Sequence, residues 1–172
     1  MSHLTPAVSA TDHHQGSLDC GLVLVEYGDF ECPYCGEAYS EVKAVQKALG
    51  AKLCLVFRHF PLKNAHPHAE RAAEFAEAAA VAGRFWEMHD WLYEHQDSLQ
   101  EASLVKAARH LGLEQKLIDA TLAGQYAAPV AESFRGGVRS GVNGTPCFFI
   151  NGIRHDGSYD AATLLEALAR AR

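Results

Sequence analysis

The apolar run Leu-Val-Leu-Val-Glu-Tyr at 22–27 is broken only by Glu26, the pattern of a strand covered on both faces. Gly28 and Asp29 turn the chain. A helical pattern then opens at Pro33, carries Ala38, Val42, Val45 and Leu49 on one side, and stops near Gly50. Proline costs nothing at a first helical position, where the N–H has no intrahelical partner. A second apolar run at 52–58 completes strand, helix and strand within about 37 residues. That spacing predicts a βαβ unit with parallel strands.

From 65 to 124 the period changes to that of helices, with segments at 68–82, 85–95, 101–111 and 114–122 and no convincing strand. Glycines at 83, 112 and 124 close three of them, as helix C-termini favour. None is long enough to stand alone, so the block reads as a helical insertion and not a separate domain. A fifth helix at 128–142 presents Val130, Phe134, Val138 and Val142, with Gly136 and Gly137 inside it. Each of these glycines costs about 1 kcal/mol relative to alanine, which suggests that something approaches closely there. A short strand at 147–150, the hairpin signal Asn151-Gly152 and a return strand at 153–155 follow. Asp160 is placed to cap a last helix bearing Leu164, Leu165 and Leu168.

The 172 residues suit one α/β domain at 20–172, preceded by a flexible or loosely docked lead-in at 1–19. A net charge of −6, with both signs scattered, argues against a nucleic-acid partner, and no apolar stretch is long enough to span a membrane. The lead-in lacks a charged start and an apolar core, so a cytoplasmic address is expected. A periplasmic chain trimmed of its leader would read the same way. Five widely spread cysteines, at 20, 32, 35, 54 and 147, suggest one working pair plus spare thiols in a reducing compartment.

That pair is Cys32-Pro33-Tyr34-Cys35. Cys32 lies just ahead of the helix, where unpaired amides and the macrodipole favour a thiolate, and the thiolate is the attacking form in disulfide exchange. Cys35, one turn in, is placed to resolve the mixed disulfide. Asp29 and Glu31 work in the other direction if ionised nearby, although exposure would screen them. Glu26, buried in an apolar strand, should have a raised pKa suited to acid–base work, unless it points to solvent from the strand end. Cys54 and Cys147 read as core positions, with a third redox thiol or a metal ligand as the alternative for Cys147. His59 reads as structural. The pairs His13/His14 and His66/His68 lack carboxylate or cysteine company, so no metal site and no cofactor are expected.

Several stretches resemble the DsbA-like branch of the thioredoxin superfamily: 26–35, Arg58-His59-Phe60-Pro61-Leu62, 66–73, and Val142-Asn143-Gly144-Thr145-Pro146 leading into 148–152. The resemblance spans nearly everything from Leu22 onward. It implies a thioredoxin fold with a mixed sheet and a helical insertion, and a protein-disulfide oxidoreductase. It further implies that Pro146 is a cis-proline, that Thr145 offers its backbone to an extended substrate beside Cys32, and that Glu26 moves protons for Cys35. Pro33 and Tyr34 join Thr145 and Pro146 as expected substrate contacts. Protein or small-thiol disulfides, with glutathione among the candidates, are the implied partners of a monomeric chain. Two alternatives stay open: a metal or iron–sulfur carrier using Cys32, Cys35 or Cys147, and a glutathione-dependent isomerase or transferase on the same fold.

Overall fold

The computed structural model describes residues 2–171. Five strands form one mixed sheet: β1 His13–Gln15, β2 Val23–Gly28, β3 Cys54–His59, β4 Cys147–Ile150 and β5 Ile153–His155, in the spatial order β1-β3-β2-β4-β5. β2 and β3 are parallel, with Glu26 opposite Phe57, and β4 runs antiparallel to β2, with Phe148 opposite Glu26. The helix α1 Pro33–Leu49 makes the crossover, followed by a 3-10 turn Gly50–Lys52, so β3 starts two residues later than the apolar run suggests. The insertion contributes α2 Ala69–Val81, α3 Phe85–Glu94, α4 Glu101–His110 and α5 Gln115–Leu122; α6 Ala127–Arg139 leads to β4, and α7 Ala161–Arg170 closes the chain. Asp160 caps α7 by accepting from the Thr163 amide at 2.9 Å.

Strand alternation divides the core. Leu24, Leu55, Phe148 and Ile150 pack against Ala38, Val42 and Val45 of α1 and Leu164 and Leu168 of α7. On the other face Val25, Tyr27, Cys54, Val56, Cys147 and Phe149 gather with Phe60 and Val142. The insertion is anchored through Phe57, Phe30, Phe75, Met88, Leu92 and Tyr93, in the cluster that also holds Cys32 and Cys35. Each such side chain contributes roughly 1.5–3 kcal/mol through burial. The helical block is therefore continuous with the core that carries the cysteines.

Gly137 explains one cost seen in the sequence. A Cβ there would lie 2.5 Å from the Phe60 ring and 3.1 Å from Tyr27, so only glycine lets α6 approach the sheet. α6 itself ends at Arg139, three residues short of the expected boundary.

Of the flexible or loosely docked lead-in expected at 1–19, the described residues dock on the sheet. β1 pairs antiparallel with β3, placing His13 opposite Phe57. Leu4 is buried, and its amide donates to Gly152 O at 2.9 Å. Arg58 is the physical reason: a guanidinium buried on the sheet needs acceptors, and this segment supplies them. It donates to Asp12 Oδ1 and Oδ2 at 2.8 and 3.1 Å, and to the Pro6 and Ala7 carbonyls at 2.9 and 3.2 Å.

Candidate active site

Cys32 is the N-cap of α1, with extended backbone (φ −70°, ψ 122°), and Pro33 begins the helix. Its Sγ lies 3.5 Å from Thr145 O, across from the loop that enters β4, where the Thr145–Pro146 peptide is cis. Five separate segments thus position the site: the β2–α1 turn, α1, the 59–68 loop, the end of α3, and the loop before β4.

The two thiols differ sharply. Cys32 is lowered from an ordinary thiol value to about 5. A hydrogen bond from the Cys35 thiol is the largest cause and outweighs desolvation, and the Thr145 hydroxyl and the Cys35 and Tyr34 amides add to it. In the thiol form Cys32 donates to Thr145 O and leaves the buried Thr145 Oγ1 without a partner; ionisation gives that hydroxyl an acceptor. Cys35 is fully buried and pushed well above the usual range by desolvation, then by its bond to Cys32 and the nearby Glu26 charge. One sulfur is thus set up as a thiolate beside another held as a thiol.

Beneath them Glu26 is 2% exposed, its Oε1 unpartnered, and burial raises its pKa to about 8. It does not point to solvent from the strand end. Tyr93, reaching in from α3, leaves its buried hydroxyl unpartnered too, and burial first, then the charges of Cys35, Glu26 and Asp29, push it well above its ordinary range. Tyr34 stands 61% exposed on the outer side of the motif.

Asp29, expected to oppose the thiolate unless exposure screens it, is buried with both oxygens occupied. Oδ1 accepts from the Glu31 and Cys32 amides at 2.8 and 3.2 Å. Oδ2 accepts from the Leu62 amide at 2.8 Å and pairs with His66 Nδ1 at 2.8 Å. Glu31 is likewise engaged, accepting from the His68 amide at 2.7 Å. These carboxylates hold the active-site loop in place, and Cys32 still titrates low.

Three residues of the site escaped the sequence reading. His66 is drawn toward its charged form: burial opposes this, but the bond to Asp29 and the charges of Asp29 and Cys32 outweigh it. Gln96 Nε2 donates to Phe30 O at 2.9 Å and Cys32 O at 2.8 Å, locking the turn. Gly36 makes room for it, since a Cβ there would meet Gln96 Oε1 at 2.1 Å. Tyr93 is the third; the only signal for it was helical spacing, which equally describes a core residue. Cys54 and Cys147 lie in the opposite-face core, both raised by burial, and sit apart from the Cys32/Cys35 cluster. A cavity of about 450 Å³ beside the 59–68 loop has an apolar wall of Leu62, Val130 and Phe134 and a polar rim of Lys63, Glu70 and Arg135.

A CxxC at a helix N-terminus, facing a cis-proline loop on a mixed sheet with a helical insertion, is the arrangement of a thioredoxin fold. The family model described as Thioredoxin matches residues 8–170. The chain belongs to the thioredoxin family. A thioredoxin-like oxidoreductase from Silicibacter pomeroyi superposes with a TM-score of 0.83 at 27% identity, covering 95% of this chain and 94% of that one. Oxidised BdbD from Bacillus subtilis superposes with a TM-score of 0.83 at 20% identity, over 93% and 92% of the two chains, a likeness of fold. In sequence, the chain is 41% identical over 172 residues to a Na(+)/H(+) antiporter NhaA 1 from Mycolicibacterium vanbaalenii, covering 98% of this chain and 28% of that protein. The chain thus spans about a quarter of the length of the curated relatives it matches. Among the described residues no helix is long and apolar enough to cross a membrane.

Proposed function

We propose that Cys32 and Cys35 form a redox pair that exchanges two electrons with protein disulfides. The observation that carries this reading is the asymmetry of the pair: a thiolate-prone Cys32 at the helix start against a buried, strongly protonated Cys35. In the reducing direction the Cys32 thiolate attacks a substrate disulfide, forming a mixed disulfide and expelling one substrate thiolate, which takes up a proton. Cys35 then loses its proton and attacks Cys32 Sγ. The second substrate thiolate leaves, the Cys32–Cys35 disulfide forms, and the substrate has gained the two electrons that the pair lost. The opposite direction reverses each step.

Glu26 is the proton carrier for Cys35 in this scheme. With a pKa of about 8 it holds its proton at neutral pH and can donate to the Cys35 thiolate released when the enzyme disulfide opens. A low Cys32 pKa stabilises the dithiol form and so makes the pair more oxidising. Thr145, with its carbonyl facing Cys32, and Pro146 offer the edge along which an extended peptide lies; Pro33 and the exposed Tyr34 border it. The exposed Tyr34 beside the pair favours protein segments over a small thiol as substrate, with glutathione serving to recharge the pair. Three further cysteines without a disulfide, at Cys20, Cys54 and Cys147, fit work in a reducing, cytoplasmic compartment.

The test is trapping. Cys35→Ser should accumulate a mixed disulfide between Cys32 and a disulfide-bearing protein, and Cys32→Ser should neither trap nor exchange. Equal exchange by the Cys32→Ser variant would overturn the assignment.

A further inference from the structure

At the edge of the sheet, three side chains from distant parts of the chain converge. His13 comes from β1, His59 from the end of β3 and Glu77 from α2. His13 Nε2 and His59 Nε2 lie 2.6 and 2.7 Å from the same carboxylate oxygen, Glu77 Oε1. All three donor atoms fall within 4.8 Å of one another. We propose that His13, His59 and Glu77 bind a divalent cation of the zinc class, which fastens the N-terminal strand to the sheet and to α2.

The donor set decides the class of ion. Two imidazole nitrogens and one carboxylate suit zinc and its neighbours, whereas calcium and magnesium take oxygen ligands. With ligand distances of roughly 2.0–2.1 Å, a tetrahedral ion would hold its donors about 3.3 Å apart. Reaching that arrangement from the present one changes the donor separations by roughly 0.6–1.5 Å, within the reach of rotamer adjustment in the three side chains. His13 lies on an edge strand and Glu77 on a long side chain, so both can adjust. His59 is the fixed member, 2% exposed and packed edge-on to Phe30, Phe57 and Phe85. Its Nε2 now donates to the acceptor-only Glu77 carboxylate, and an ion would displace that proton to solvent or to Nδ1, which has no partner and no donor against it.

The surroundings leave room for the ion and for a fourth ligand. The three residues border a cavity of about 430 Å³ that also touches Ser9, Thr11 and Asp12. Water in that space can complete the coordination, as three-protein-ligand zinc sites allow. Arg58 is the cation nearest at hand on this wall, and its charge is already matched by Asp12 in a two-bond pair at 2.8 and 3.1 Å. His13 is stacked on Phe85 at 3.7 Å between ring centroids, which limits its search, while its side chain stays 23% exposed. The site is therefore prepared on one side and adjustable on the other.

The experiment uses the full chain with the Cys32–Cys35 disulfide formed, so that this pair cannot hold metal. Zinc is titrated by calorimetry and cobalt by absorption, and thermal unfolding is followed with and without zinc. One equivalent of zinc, a raised melting temperature, and a cobalt spectrum lacking sulfur-to-metal charge transfer are expected. His13→Ala and Glu77→Gln should each weaken binding by about tenfold or more, as loss of even an outer partner does at known sites. Circular dichroism shows whether each variant is folded; if one is not, the other variant and the cobalt spectrum of the parent still decide. No zinc uptake, uptake unchanged in both folded variants, or a cobalt–thiolate spectrum would each overturn the proposal.

Discussion

Replacing Glu26 by glutamine removes a buried carboxyl whose Oε1 has no partner. Burial raises its pKa to about 8 from 4.5 for the free side chain. In the unfolded chain the group ionises above pH 4.5; in the folded chain it stays protonated until about 8. Between these values the folded state binds more protons, so stability falls as pH rises. The loss accumulates at about 1.4 kcal/mol per pH unit, reaching about 3 kcal/mol at pH 7 and levelling off at about 5 kcal/mol above pH 8. Glutamine does not titrate, so the stability difference between variant and parent should grow in its favour by these amounts. Any cost of burying the amide, about 1–3 kcal/mol, displaces the whole curve without changing its slope.

The assay is urea unfolding at intervals from pH 4.5 to 9, in a background with both Cys32 and Cys35 replaced by serine. That background matters because Cys32, lowered to about 5, acts with the opposite sign: its contribution is present above the unfolded thiol pKa and is lost as pH falls through 5. Parallel stability curves for the glutamate and glutamine proteins across pH 5–8 would show that Glu26 ionises normally, and would refute the reasoning from its burial.

Further consequences follow from other parts of the structure. His66→Gln removes an imidazolium favoured beside Asp29 and Cys32, so the Cys32 titration midpoint should rise above about 5 in thiolate absorbance; an unchanged midpoint excludes a role for His66 in tuning it. Asp12→Ala leaves the buried Arg58 without its ion partner and should destabilise by about 3 kcal/mol in urea unfolding, where a loose N-terminal segment would show almost none. Gly137→Ala drives a methyl into Phe60 and should cost about 1–3 kcal/mol by the same measurement.

Most of the architecture was legible because its elements carry strong apolar periods. The runs around Val25, Val56 and Phe149 are short, bounded by turn residues and almost wholly apolar, which favours buried strands, and Pro33 within the Cys32–Cys35 pair marks the helix start. β1 was invisible for a physical reason: it is three half-buried polar residues, His13–Gln15, on a sheet edge, with no hydrophobic alternation to betray it. The role of Asp29 stays hidden in the sequence, which gives no burial: a carboxylate satisfied by three amides and a histidine looks like any other loop aspartate. Gln96 and Tyr93 act through long-range contacts to the turn and to the buried pair, which helical spacing does not encode. His13, His59 and Glu77 lie far apart in the chain, and their meeting depends on the β1–β3 register that the sequence conceals.

The central claim, a Cys32 thiolate backed by a protonated Cys35, is tested most directly by alkylating the reduced protein across pH and identifying the modified residue by mass spectrometry. Cys32 should react first, with a midpoint near pH 5, while Cys35 stays protected. A midpoint near the ordinary thiol value of about 8.5, or Cys35 reacting before Cys32, would contradict it.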